Sequence, residues 1–436
     1  MSDSAEPRNW LEMTKKTGMA LGLQNTSKML KQLHLDFSDT TIIHVAGSNG
    51  KGTLCALLAT NFTLIEQSNV LFSSPHLCRV EERIRIGGVP VRAEAFDEAV
   101  KKIRLVSLAC NIAPTFFEVT FLAAMIIARE QNVRFLILET GLGGRLDATR
   151  CAPADLALLT SISLEHTDIL GGEINQIIKE KAAIARPGKP IIARVMDTID
   201  YQKTVESVAK NCYQSLLNEE KQPAQCHFID IPDGTTARKE ANILAKRALE
   251  ILNQKSMLKT ADELLNWPGR LQRISLSSGH NLILEAAHNP TGLEKILPEI
   301  INLTSNEYST QKTCIIFGTS PQQDMSAMLD GIGNMCDRIG NVELILTKPH
   351  GGRYPGVEPQ SLLKYPWPAL DIHQYPHVKQ ALDMLLERDP EECGTILSIG
   401  SLYLQGNILT YLGLDGDDEL SLIPKNSNVV WHSKGD

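Results

Sequence analysis

Short apolar, β-branched runs alternate with amphipathic stretches along nearly the whole chain, and that rhythm points to a parallel sheet covered by helices. Residues 41–46, 69–73, 133–139, 155–163 and 190–195 read as strands. Between them, 52–67, 94–111, 115–131 and 173–186 carry apolar residues at three- and four-residue spacing and read as helices. The stretch 196–237 loses the rhythm and collects Pro, Gly, Asp and Gln, whereas 240–254 is helical again. A turn at Trp267-Pro268-Gly269 precedes a second alternation, with strands expected at 282–287, 312–317, 342–347 and 395–399. The expected class is α/β in two domains, a larger one over 1–267 and a smaller one over 268–436. The tail after Leu414, rich in Asp, Gly and Ser, is expected to be loose.

Composition narrows the function. With 436 residues, 43% of them hydrophobic and 22% charged, the chain is neither disordered nor low-complexity. No apolar run approaches the roughly 18 residues that span a bilayer, and the densest, 121–128, is too short. The first ten residues lack the pattern of a signal or transit peptide. A net charge of -8 argues against a broad nucleic-acid surface, although local cations can still bind small anions. The nine cysteines are scattered without a CxxC pair, which fits reduced thiols in a cytoplasmic protein.

The sharpest local signal is His44-Val45-Ala46-Gly47-Ser48-Asn49-Gly50-Lys51-Gly52-Thr53. A strand runs into a glycine-rich turn, a lysine and the start of a helix. Such a turn exposes backbone N–H groups at a positive helix end, where phosphate is held. Lys51 would neutralise outer phosphates and Thr53 would offer a hydroxyl to Mg²⁺. The glycine spacing departs from the common Walker pattern. A glycine-rich turn carrying a solvated lysine is the plainer alternative.

That segment resembles the nucleotide loop of the Mur ligase superfamily, and Gly52 after the lysine is typical of its folylpolyglutamate synthase and dihydrofolate synthase branch. Other matches follow in order. They are Leu21-Gly22-Leu23, Ser73-Ser74-Pro75-His76-Leu77, Glu82-Arg83-Ile84, Thr115-Phe116-Phe117-Glu118 and the run from Glu139 to Thr149. His166-Thr167, Leu170-Gly171, Glu180-Lys181-Ala182, Pro268-Gly269-Arg270, Ala287-His288-Asn289-Pro290 and Phe317-Gly318 complete the series, which spans about residues 18 to 405.

The resemblance implies a P-loop-type ATP-binding domain followed by a Rossmann-like α/β domain. It also implies an ATP-dependent ligase that adds L-glutamate to dihydropteroate or a reduced folate through an acyl phosphate, releasing ADP and phosphate. ATP would lie on Gly47, Ser48, Asn49, Gly50, Lys51, Gly52 and Thr53, with Arg270, Glu285 and His288 from the second domain. Two Mg²⁺ sites would draw on Ser74, Glu139, His166 and Lys181, the lysine as its carbamate; Lys51, Lys181, His166 and Glu139 would carry catalysis. Read alone, Ser74 is equally a turn residue, His166 a loop histidine and Lys181 part of a solvated helix face. Glu118 would serve a metal-bound water or a helix dipole, and Arg145 would pair with Asp147. Closure of the second domain would exclude water.

Several positions depart from the family pattern. Glu165 replaces the usual aspartate before the histidine, Arg150 an asparagine, Glu285 an aspartate and Ala183 a glycine. Gln322-Gln323-Asp324 lacks the family's lysine, and Lys239-Glu240 stands where His-Gln is customary. These changes touch acceptor and ribose handling more than the phosphate loop. The expected protein is a cytoplasmic monomer acting on small molecules, glutamate and a pteroate- or folate-type acceptor, with no nucleic-acid or membrane partner. A Mur-type ligase with a non-folate acceptor and a non-catalytic ATP-binding protein are the alternatives.

Overall fold

The computed structural model describes residues 5–18, 22–196, 199–212, 222–232, 234–307, 312–322, 324–352 and 355–425. Leu21 and Gln323, cited above, lie outside the described residues, as does the tail from 426 onward. The chain divides into two compact units, one of 1–76 with 80–265 and one of 77–79 with 266–436.

The first unit is built on β1 (Thr41–Ala46), β2 (Asn69–Phe72), β3 (Ile84–Ile86), β4 (Val89–Pro90), β5 (Phe135–Glu139), β6 (Leu156–Leu159), β7 (Pro190–Arg194) and β8 (Gln225–Ile229). They form one sheet in the order β4-β3-β2-β5-β1-β6-β7-β8. Pairing is parallel from β2 through β8, and β3 and β4 add an antiparallel edge. Central strands are apolar on both faces because helices cover both. Along β5, Leu136 and Leu138 join one cluster with Val119 and Phe121 of α2, the helix Phe116–Glu130. From the other helix layer Phe62 of α1 (Lys51–Leu64) stacks on Phe135 at 3.9 Å between ring centroids. Each such ring is worth roughly 1.5–3 kcal/mol in removed apolar surface. Helix α1 is buried from Leu54 to Phe62, so it carries no polar face over that span.

Regular structure occurs among the described residues of 196–237, where no rhythm marks it in the sequence. The stretch contains a helix, Ile199–Lys210, and the edge strand β8. Edge strands need no continuous apolar run, and β8 is only half-buried. That helix, α4 (Ile199–Lys210), matters below together with α3 (Ile174–Ala182) and α5 (Ala237–Ile251).

The second unit carries β9 (Gln272–Ser275), β10 (Asn281–Leu284), β11 (Thr313–Phe317), β12 (Val342–Thr347), β13 (Asp371–Tyr375) and β14 (Thr395–Ile399). Their order is β13-β12-β11-β14-β10-β9, parallel except for the β9–β10 pair. Apolar clusters cover both faces. Cys314 and Cys393 are brought together where β11 neighbours β14, with Cα atoms 6.3 Å apart, and are joined as a disulfide. The expectation of nine reduced thiols is corrected for that pair.

The segment after Leu414 is not loose where it is described. Leu420 and Leu422 are fully buried. The Asn266 side chain donates to the carbonyls of Glu419 and Ser421, each at 3.0 Å, and its N–H to Leu422 O at 2.9 Å.

Candidate active site

Parallel α/β sheets gather ligands at the carboxyl ends of their strands. In the first unit that edge collects the end of β1, the loop Gly47–Gly50, Glu139 closing β5 and Thr160-Ser161 after β6. Glycine is required at two places in the loop. Gly50 caps α1 with φ +87°, and a Cβ on Gly47, at φ +150°, would strike Thr160 Oγ1.

Thr160 and Ser161 wall the loop. Ser48 donates its N–H to Ser161 O at 2.7 Å, and Thr160 Oγ1 donates to Asn49 O at 2.7 Å. Behind them Glu240 of α5, 3% exposed, accepts from Ser161 N at 3.0 Å and from Arg194 Nη1 at 2.8 Å. Sequence reading missed this support. Its signal was topological, since the strand beside β1 must end beside the phosphate loop.

Lys51 folds back over the loop, its Nζ 2.8 Å from Gly47 O and 3.1 Å from Ser48 O. A second ammonium meets the same carbonyl, with Lys181 Nζ 2.9 Å from Gly47 O and 2.6 Å from Glu165 Oε1. Lys181 is 1% exposed, so it is no solvated helix face. Burial, and then Lys51, brings its ammonium down to about 8, with Glu165 pulling the other way. Burial would raise the Glu165 carboxyl, yet Lys181 and Lys51 together hold it below its ordinary value.

Ser74 and Glu139 also meet, Ser74 donating its N–H to Glu139 Oε2 at 3.1 Å; Glu139 is 6% exposed. His166 caps the short helix Thr167–Leu170 in a left-handed conformation and is exposed. The metal expectation therefore divides. A serine hydroxyl and a buried carboxylate are the hard oxygen donors Mg²⁺ takes, and they come from adjacent strand ends. Lys181 as an ammonium is not a ligand. No group of three or more His, Cys, Asp or Glu suited to a metal occurs among the described residues.

Asp147 does not pair with Arg145. Its carboxylate, 6% exposed, accepts from the N–H groups of Gly141 and Leu142, each at 2.9 Å, and from the N–H and hydroxyl of Thr149. Burial raises the Asp147 carboxyl against those hydrogen bonds. The buried His44 ring reaches Thr149 Oγ1 at 2.8 Å, and burial holds it neutral. Arg145 pairs instead with Glu180 at 2.7 Å. Glu118 completes a capping box with Thr115 and accepts from Thr26 Oγ1 at 2.7 Å, so both its oxygens are engaged. His76 accepts from Arg83 Nε at 2.9 Å; burial, with Arg83 and Lys15 nearby, pushes its imidazole down to about 3.

In the second unit Gly269 turns the chain at φ +69° before Arg270, whose Nη1 lies 3.7 Å from Glu285 Oε1. Glu285, 3% exposed just past β10, accepts from Leu271 N at 2.9 Å and from Ala287 N at 2.8 Å. Burial raises its carboxyl while Arg270 opposes the rise. It thus shapes the turn that carries Arg270 and the loop that carries His288. His288 Nδ1 is 3.0 Å from Ala286 O, and the side chain is exposed.

No protein-family model matches the chain. It is 30% identical over 317 residues to the dihydrofolate synthase/folylpolyglutamate synthase of Escherichia coli, covering 67% of this chain and 72% of that protein. To the Bacillus subtilis protein of the same description it is 29% identical over 364 residues, covering 76% and 83%. Among solved structures, E. coli FolC in complex with DHPP and ADP aligns with a TM-score of 0.74 at 25% identity, covering 95% of this chain and 99% of that one. The Yersinia pestis bifunctional enzyme complexed with AMPPNP and Mn aligns with a TM-score of 0.76 at 25% identity, again over 95% and 99%.

Proposed function

The chain belongs to the dihydrofolate synthase/folylpolyglutamate synthase family, and from that premise we propose how its residues divide the work. It is an ATP-dependent ligase that joins glutamate to a folate-type carboxylate, with ATP and a divalent metal as cofactors. The reading for this chain is that dihydropteroate, tetrahydrofolate or both serve as acceptors, in a cytoplasmic monomer with no nucleic-acid partner. The domains of the working enzyme run over 1–267 and 268–436.

The observation that carries the assignment of roles is the pair of ammonium groups converging on one carbonyl of the phosphate loop, Lys51 at 2.8 Å and Lys181 at 2.9 Å from Gly47 O. Two cations at a positive helix end offset the charge that builds on the transferring phosphoryl group. The loop's backbone from Gly47 to Thr53 cradles the β- and γ-phosphates, and Lys51 swings from the loop carbonyls onto them. The acceptor carboxylate attacks the γ-phosphorus and ADP leaves. The glutamate amine then attacks the resulting acyl phosphate, displacing inorganic phosphate and losing a proton.

Ser74 and Glu139 would hold Mg²⁺, which supplies Lewis-acid stabilisation of phosphoryl oxygens when bound. His166, exposed beside Glu165, would complete the donor set, while Lys181, held as an ammonium by Glu165 and Gly47 O, serves as a cation and not as the carbamate ligand that the family resemblance implied. Arg270 and His288 serve the nucleotide, with Glu285 holding their loops in shape. Glu165 fixes Lys181 beside the loop.

The test is direct. Protein, ATP, Mg²⁺ and glutamate are incubated with dihydropteroate or tetrahydrofolate, and product mass and ADP release are followed. A mass gain of one glutamyl residue on either acceptor supports the reading. ADP release without a glutamylated pteridine would sink it.

A further inference from the structure

On the far side of α3 from the phosphate loop lies a cavity of about 610 Å³ that none of the roles above uses. Its volume falls within the roughly 300–1,000 Å³ typical of small-molecule pockets. Residues two apart on a helix point nearly opposite ways. Lys181 accordingly reaches Gly47 O, while Lys179 lines the cavity.

The lining is strongly basic. Arg145 and Arg150 come from the segment after β5, Lys179 from α3 and Lys203 from α4, against one acidic side chain, Asp200, among the described residues. Arg145 is matched by Glu180, but among the described lining residues cations still outnumber carboxylates, in a chain whose overall charge is -8. Such a local reversal focuses positive potential within a concave surface.

The wall adds further positive charge. Arg150 is 2% exposed and donates to Ala183 O at 2.6 Å and to Arg145 O at 3.2 Å. Just behind it Arg186 is 6% exposed and donates only to main-chain carbonyls among the described residues, including Arg150 O at 2.6 Å. Burial and then the Arg150 charge bring the Arg186 guanidinium down to about 9. The two guanidiniums lie close enough for the charge of Arg150 to act on Arg186. Arg150 and Ala183, which meet here, are also positions where the chain leaves its family's pattern.

We propose that this cavity is a second anion site, distinct from the phosphate loop, that takes a small polyanion carrying several carboxylates or phosphates. Arginine forks suit either group, and the exposed lysines add point charges at the mouth. Two sources offer that chemistry: a γ-linked oligoglutamate, which the family's reaction builds, and an inorganic diphosphate. Because the shared wall is the helix that carries Lys181, occupancy would stiffen the side of the site that holds the loop.

The experiment is calorimetric titration of the full-length protein, with ADP and Mg²⁺ first saturating the phosphate loop. The titrants are γ-triglutamate and pyrophosphate, each at low and high salt. The comparison protein is the double variant Lys179→Glu with Lys203→Glu, both residues being exposed. Binding to the wild-type protein should weaken with salt and fall by about tenfold or more in the variant, while ADP affinity stays unchanged. Tighter binding of triglutamate assigns the carboxylate source, and tighter binding of pyrophosphate the phosphate source. Equal affinity for wild-type and variant proteins, or no heat from either titrant, overturns the proposal. Neither outcome depends on turnover, so it stands or falls apart from the ligase reading.

Discussion

Lys181 and Glu165 form a closed pair beside the phosphate loop, their charged atoms 2.6 Å apart and the lysine side chain only 2% exposed. The glutamate is one methylene longer than the residue customary at its position, and it reaches the lysine directly. Removing one partner of a buried pair leaves the other charge uncompensated. Glu165→Gln should therefore lower stability by about 3 kcal/mol and drive the Lys181 ammonium further down. Urea unfolding at neutral pH measures the first effect; an unchanged midpoint would show that the pair contributes nothing.

Lys51→Ala should lower kcat by roughly 100-fold or more, the scale set by losing one preorganised electrostatic contact. Lys51 is half-exposed, and its bonds end on two loop carbonyls. The melting temperature should hardly move. Acceptor-dependent ADP release and a thermal melt on the same preparation separate the two effects.

Glu240→Ala removes the acceptor for both Ser161 N and Arg194 Nη1. Stability should drop by about 3 kcal/mol. Because Ser161 accepts from Ser48 N, the loop loses its backing and KM for ATP should rise more than kcat falls. Steady-state kinetics at varied ATP checks this, and Glu240→Gln should restore part of the loss.

His76 gives a pH dependence with a definite sign. The unfolded chain gains a proton on this imidazole below its ordinary 6.5, whereas the folded chain refuses it until about 3. Stability contributed through this group is present above pH 6.5 and is lost as pH falls through that window. The slope approaches about 1.4 kcal/mol per pH unit. His76→Asn keeps an acceptor for Arg83 and should flatten the dependence. Denaturation midpoints from pH 6.5 to 4 decide it, and parallel curves would refute the assignment.

What sequence could disclose follows from where information is local. The strand–loop–helix at 41–64 was legible because glycine placement, lysine and apolar runs lie within one contiguous segment. Strands β8 and β13 were not: both are edge strands, and β13 is exposed along much of its length, so neither carries an apolar run. Side-chain partners across the chain were the least legible. Arg145 and Asp147 are neighbours in sequence, yet one turns to Glu180 and the other into the amide groups of its own loop. Lys181 looked like solvent-facing helix, because nothing local marks which side of α3 meets the phosphate loop. Glu240 stands out in the sequence only as a departure from pattern; its tie to Ser161 spans 79 residues.

The buried return of the chain at Leu420 and Leu422, tied to Asn266, sets limits for anyone who would cut or extend this polypeptide. Asn266 is where the second unit takes up the chain again. A stop codon placed after the helix Leu402–Leu412 would strip apolar cover from that unit and release the strap that fastens its entry point. A purification handle or reporter fusion must therefore leave Leu420, Leu422 and their tie to Asn266 intact.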